Sequence, residues 1–300
     1  MKIPYKTKIA LFVAILLWAS AFVGIREGLK EYSPEGLALL RYLIASVFIG
    51  IVYFRLPARN HIPYKDICAL LIIGALGIGA YSITLNYGEL VISSGMASFI
   101  ISQSPIITTI CAMIFLGERL NFLRVMGFLI SVMGVVLIAF GEVGGFKWNA
   151  SITYILLATF LGGCYSILQK PFLKKYHAIE ATTYVIWGGT LFLLMYTPKL
   201  HHDLLGASVV TTLTITYLGI FPAAIGYIGW NYALAEIPAS RAVSFLYFMP
   251  FLAMILGWVL LGEVPILLSV GGGIVAMLGV WLVNQSYHKQ RLVTEKITTA

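Results

Sequence analysis

Residues 86–118, NYGELVISSGMASFIISQSPIITTICAMIFLGE, and residues 231–263, NYALAEIPASRAVSFLYFMPFLAMILGWVLLGE, are one pattern written twice. Asn86-Tyr87 matches Asn231-Tyr232, Pro105 matches Pro250, and Leu116-Gly117-Glu118 matches Leu261-Gly262-Glu263, every pair 145 residues apart. Working outward, the same register pairs Ala97 with Ala242, Ile110 with Ile255, Gly127 with Gly272, and Gly134-Val135 with Gly279-Val280, without a gap. Two unrelated apolar helices share Leu and Ile through composition alone. They do not also hold Asn, Pro and Glu in one unbroken register, so the chain reads as an internal repeat.

The 300 residues are 60% hydrophobic and 11% charged, with a mean hydropathy of +0.92, whereas soluble domains carry roughly 25% charged residues. A bilayer is the solvent this composition fits. Apolar windows between breakers and charges predict spans at 9–28, 36–54, 67–87, 95–116, 122–141, 151–173, 179–197, 210–233, 240–261 and 265–285. The expected fold is an all-α, polytopic membrane protein with ten transmembrane helices. Residues 9–141 form the first repeat and 151–285 the second, with 286–300 as a cytoplasmic tail. Five spans per copy is an odd number, so the second copy enters the membrane from the opposite side. Inverted halves that exchange conformations are a known route to alternating access.

Orientation follows from the basic residues. Of 20 Lys and Arg, fifteen fall on the side that carries both termini, including Arg55, Arg59, Lys174 and Lys175. Only Arg26, Lys30, Lys147 and Lys199 fall on the other side, and Arg41 lies within a span. The positive-inside rule then predicts cytoplasmic termini, and the net charge of +8 reflects loops facing anionic headgroups rather than nucleic acid. Lys2, Lys6 and Lys8, an apolar run and Ala19-Ser20-Ala21 resemble a cleavable leader. Because apolar character continues through Phe22, Val23 and Ile25, a retained first span is the expectation. Cys68, Cys111 and Cys164 sit in apolar runs without CxxC spacing and argue for neither disulfides nor a metal. HExxH, GxSxG and P-loop patterns are missing, and the five histidines lie in loops or the tail, so neither an enzyme nor a cofactor is expected. His201-His202-Asp203 reads as a solvated loop in preference to a metal site.

The ordered motifs resemble the drug/metabolite transporter superfamily, specifically its EamA-like branch. The resemblance rests on Leu17-Trp18-Ala19-Ser20-Ala21-Phe22, Arg41-Tyr42, Ser104-Pro105 and Leu116-Gly117-Glu118-Arg119-Leu120 in the first copy. In the second it rests on Tyr247-Phe248-Met249-Pro250 and Leu261-Gly262-Glu263. It implies a ten-helix secondary transporter of amino acids or other small metabolites, frequently an exporter, in a bacterial inner membrane. The second copy departs from the pattern. Gly162-Gly163-Cys164-Tyr165 replaces the tryptophan motif and Ile186 stands where a partner for Arg41 would be, so an asymmetric cavity is expected. A lipid flippase, a membrane enzyme and a scaffold are the alternatives.

Pro105 and Pro250 lie near the middle of the fourth and ninth spans, and each frees a backbone carbonyl within the membrane. Interrupted helices at matching positions of two halves point to a binding site, although a packed kink satisfied by Ser or Thr is the other reading. Ser94, Ser98, Ser102, Pro105 and Thr109 share one face of the fourth span, and Ser102, beside the proline, is the better candidate. Trp18, Tyr81, Tyr165, Tyr227, Trp230 and Tyr247 lie at similar depth, with Trp18, Tyr81 and Tyr247 preferred. Gln103 and Gln169 offer hydrogen bonds, and Asn86 and Asn231 suit capping or helix-to-helix bonding. Arg41 either meets a substrate carboxylate or serves structurally, by snorkelling, pairing with Glu35 or Glu89, or bonding carbonyls. The expected substrate-binding residues are thus Trp18, Arg41, Tyr81, Ser102, Gln103, Pro105, Tyr247 and Pro250. Glu118 and Glu263 suit caps, with protons as the alternative coupling ion they would serve. The Gly127, Ser131, Gly134 and Gly272, Ala276, Gly279 stripes suit either internal packing or a homodimer.

Overall fold

The computed structural model describes residues 3–117, 121–140, 150–262 and 267–298. They form long helices: α1 (Tyr5–Gly28), α2 (Pro34–Phe54), α3 (Tyr64–Glu89), α4 (Ser94–Phe115), α5 (Phe122–Phe140), α6 (Ala150–Lys175), α7 (Ala178–Gly206), α8 (Val209–Glu236), α9 (Ala239–Leu260) and α10 (Leu267–Thr298). The described residues contain no strand. Eight of these helices are long and apolar enough to cross a membrane. α5 and α10 carry the shorter apolar stretches Phe122–Gly134 and Val270–Val283. Glu118 and Glu263 fall outside the described residues.

Local chemistry sets the helix starts. Ser33, Ser93 and Ser208 each accept a hydrogen bond from an amide of the first turn, at Gly36, Met96 and Thr211. His177 and Glu180 form a capping box at α7. Gly117 and Gly262 adopt φ of 66° and 71°, the left-handed conformation in which a side chain would be strained. These two glycines are 145 residues apart, the interval of the matched sequence positions.

Interruptions recur at the same interval. α3 contains a π-helical segment, Ala75–Ala80, and α8 contains another, Gly219–Gly226. α4 breaks after Ile101 and restarts at Ser104, with Pro105 in its first turn. α9 narrows to a 3-10 turn, Phe245–Phe248, and restarts at Met249 with Pro250 in its first turn. Each proline therefore sits where its missing amide costs least. α7 runs past the expected end at 197, because Pro198 opens a further helical stretch, Thr197–Gly206. That stretch reaches back across the chain. Asp203 accepts hydrogen bonds from the Ser33 amide (3.0 Å) and hydroxyl (2.6 Å), and Lys199 pairs with Glu35, which also accepts from Tyr87 Oη at 2.7 Å. Nearby, the Ser208 amide donates to Glu31 and holds its carboxyl below the usual range. Residues 286–298, expected as a tail, continue α10 as helix.

The small-residue stripes of α5 and α10 face one another within the chain. Ser131 Oγ donates to Ala276 O at 3.2 Å, and a Cβ on Gly134 would lie 2.2 Å from Ala276 N, so only glycine allows this approach. The outward surface is apolar too, with Phe54, Ile72, Phe115 and Leu205 all exposed. That distribution suits lipid, since a helix with apolar residues on every side has no aqueous face.

Two cations cap helix ends in matching fashion. Arg26 Nη1 donates to Glu89 O at 3.0 Å and Ile92 O at 2.9 Å, at the end of α3. Lys170 Nζ donates to Leu234 O and, at 2.7 Å, to Ile237 O, at the end of α8. Both acceptors of the second clamp lie 145 residues beyond those of the first. Unpaired carbonyls at a helix C-terminus attract positive charge, and charge-assisted hydrogen bonds contribute about 1.5–3 kcal/mol each. Arg26→Ala and Lys170→Ala should each lower the melting temperature of the purified protein by at least about 3 °C. Lys30→Ala, at an exposed pair with Glu27, should leave it within about 1 °C. Unchanged melting in both clamp variants would contradict the assigned role.

Candidate functional site

The irregular segments surround one cavity, walled mainly by apolar and aromatic side chains with a few polar groups, the make-up usual for small-molecule sites. α1 supplies Trp18, Ala21, Phe22 and Ile25, and α2 supplies Arg41. α3 supplies Gly77 from its π-helical segment, then Tyr81 and Leu85. α6 lines the opposite wall with Thr159, Gly162, Tyr165 and Ser166, α8 adds Tyr227 and Trp230, and α9 adds Leu246 and Met249. α4 contributes Ile101 and Ser104, the residues on either side of its break. Ile101 and Leu246 each stand four residues before a proline, where a carbonyl loses its helical donor.

The wall is an aromatic box. The Trp18 ring meets Tyr227 edge-on at 5.1 Å between centroids and Trp230 at 5.2 Å, and Tyr165 meets Tyr227 at 5.7 Å and 81°. Such geometries suit the ring quadrupoles. Trp18 Nε1 donates to Pro222 O at 3.1 Å, which ties α1 to the π-helical segment of α8. Beneath the box, Asn231 Oδ1 accepts from Gln169 Nε2 at 2.8 Å, and Asn231 Nδ2 donates to Thr182 Oγ1 at 2.8 Å. Asn86 Nδ2 donates to Pro34 O at 2.7 Å. Both asparagines thus join helix to helix.

Of the eight residues expected to bind substrate, the structure brings Trp18, Arg41 and Tyr81 to the cavity wall. Ser102, Gln103, Pro105, Tyr247 and Pro250 are not among its lining residues. Ser102 Oγ donates to Phe99 O at 2.7 Å and Gln103 Nε2 donates to the same carbonyl at 3.3 Å, while Thr159 Oγ1 reaches across from α6 to Ile100 O at 3.2 Å. Neighbouring hydroxyls and an amide thus bond the Phe99 and Ile100 carbonyls just before the break in α4. Tyr247 lies within the 3-10 turn, which turns its ring toward Phe128 of α5 at 6.4 Å and presents Leu246 to the cavity instead. Arg41 is 4% exposed, makes no ion pair with a described residue, and has a buried Nε without a hydrogen bond. Its guanidinium lies 5.3 Å from the centre of the Tyr42 ring.

The pattern of the EamA-like transporter family matches residues 6–140 and again residues 149–285. The chain belongs to this family. It is 42% identical to the "Uncharacterized transporter YdfC" of Bacillus subtilis (strain 168), over 92% of this chain and 90% of that protein. It is 36% identical to a "Probable terminal-alkyne amino-acid exporter" of Streptantibioticus cattleyicolor, over 92% of each. A solved crystal structure superposes with a TM-score of 0.75 over 95% of this chain and 98% of its own, at 18% identity, which is a likeness of fold. This member of the EamA-like family is accordingly a multi-pass membrane transporter.

Thiol chemistry tests which side of α4 faces the cavity. In a background with Cys68, Cys111 and Cys164 changed to Ser, Ser104→Cys should react with a small methanethiosulfonate about tenfold faster than Ser102→Cys, because thiolate reactivity follows access. Equal rates would move the cavity away from Ser104.

Proposed function

We propose that this EamA-like protein is a secondary exporter of amino acids or related small metabolites, working by alternating access without ATP. It does so as ten spans in two inverted five-helix repeats, in a bacterial inner membrane with both termini cytoplasmic. The observation that carries the reading is the central cavity, walled by the residues beside the broken fourth and ninth helices. Binding between discontinuous helices at the junction of two repeats is the arrangement of many secondary transporters. The 145-residue recurrence of the left-handed glycines, π-helical segments and cation clamps supports two equivalent halves. With inverted insertion the Arg26 and Lys170 clamps lie on opposite faces, one behind each end of the path. A relative's name as an amino-acid exporter supports the substrate class. A scaffold has no use for such a cavity. Protons are the coupling ion to test first, since a proton gradient is the ordinary drive for such carriers in that membrane.

Gly162 offers a direct test, since a Cβ there meets only the Tyr81 ring, at 3.3 Å, and otherwise enters open space. Cells expressing the protein should export a fed amino-acid load faster than cells without it. Gly162→Leu should cut that export at least about tenfold by occupying the cavity, while membrane expression stays near wild type. Flux into proteoliposomes should respond to an imposed pH gradient. Wild-type export by Gly162→Leu would remove this cavity from the transport path.

A further inference from the structure

Among the described residues that line the cavity, Arg41 is the single charged side chain; the others are apolar, aromatic, hydroxyl-bearing or glycine. A buried guanidinium without a carboxylate partner is costly, so the site is built around an unfilled demand for negative charge. Neither nearby acid, Glu35 or Glu89, stands in the wall. Glu35 is held by Lys199 and Tyr87, and Glu89, at the end of α3, lies outside the lining. The same wall carries Trp18, Tyr165, Tyr227 and Trp230, an apolar box whose polar edges are hydroxyls and indole nitrogens.

From this charge pattern we infer that the site selects amphipathic monocarboxylates and reads them at the acid end alone. The carboxylate meets Arg41 through charge-assisted hydrogen bonds, and an apolar or aromatic body fills the box. No described wall residue supplies a counter-charge for an α-ammonium group, which would also enter beside a positive guanidinium. A des-amino acid therefore binds at least as well as the corresponding amino acid, and an amine without a carboxylate binds worst. The inference rests on the reading of this cavity as the transport site and narrows its substrate class.

The test is a matched series offered to the purified full-length protein: 3-phenylpropionate, phenylalanine, 3-phenylpropionamide and phenethylamine. Binding is followed by the fluorescence of the wall tryptophans Trp18 and Trp230, and flux by uptake into liposomes. The acid should bind about tenfold or more tightly than its neutral amide, at least as tightly as phenylalanine, and far more tightly than the amine. Arg41→Gln should weaken the acid by about tenfold to hundredfold and leave the amide within about twofold, with Arg41→Lys restoring part of the preference. A preference for phenylalanine or phenethylamine over the acid, indifference to Arg41→Gln, or no binding by any probe up to about 10 mM would overturn the inference. Arg41-dependent binding without flux would sink the transporter reading and leave the binding site standing. Flux without an Arg41-dependent preference for the acid would do the reverse.

Discussion

Every amide and carbonyl that a chain carries into hydrocarbon must find a partner inside the protein, because lipid offers none. That constraint makes all the membrane-crossing elements helices, and it makes each departure from regular helix an event requiring explanation. Here the departures cluster around one space. The π-helical segments of α3 and α8, the break in α4 and the 3-10 turn of α9 all border the cavity or flank residues that do. Their displaced backbone groups are met by side chains, as with Trp18 on Pro222 O and Thr159 on Ile100 O. The site thus arises where regular backbone hydrogen bonding is given up and side chains take its place.

The same need is met at the helix ends. Arg26 and Lys170 satisfy the last carbonyls of α3 and α8 from equivalent acceptor positions, although one is guanidinium and the other ammonium. The acceptors have kept the 145-residue register while the donors differ by one position and by chemistry. A carbonyl pair at a helix end sets a requirement for positive charge at one place in space, and more than one side chain can reach that place. By contrast, the α5–α10 contact tolerates no such exchange, since Gly134 and Gly279 approach opposing backbone closely enough that any Cβ would collide.

Much of this was legible in the sequence, and the part that was not has a physical cause. The long helices, the 145-residue register and the interruptions at Pro105 and Pro250 follow from apolar period and from proline chemistry. Among the site residues, Trp18, Arg41 and Tyr81 could be read from depth and type. The wall positions of α4 and α9 are displaced along the chain from the prolines that interrupt these helices. A proline frees the carbonyl four residues earlier, and Ile101 and Leu246, at that offset, are the residues at the wall. Ser102 belongs to a polar face, but a serine in a helix readily bonds its own preceding turn, as it does here with Phe99 O. The π-helical segments left a weaker signal. Glycines at 74, 77 and 79, and Pro222 within a helix, mark places where the backbone can widen but do not say that it does.

Depth along a span fixes how far a side chain lies from the membrane faces, and says nothing about the direction in which it points. Tyr247 and Trp230 illustrate the difference. Both are almost wholly buried, yet the 3-10 turn rotates Tyr247 toward α5, whereas the regular helix that follows the π-helical segment of α8 carries Trp230 to the cavity. A 3-10 turn advances each residue by about 120° and an α-helix by about 100°, so a few residues of altered winding suffice to exchange a wall position for a packed one. An asymmetric cavity follows from this even in a chain whose two halves share one register. α8 presents Trp230 where α3 presents Leu85, Tyr227 has Ser82 as its counterpart, and Arg41 has no basic equivalent at Ile186. The matched backbone positions supply the interruptions, and the unmatched side chains give the space its aromatic wall and Arg41, the one charge among its described lining residues.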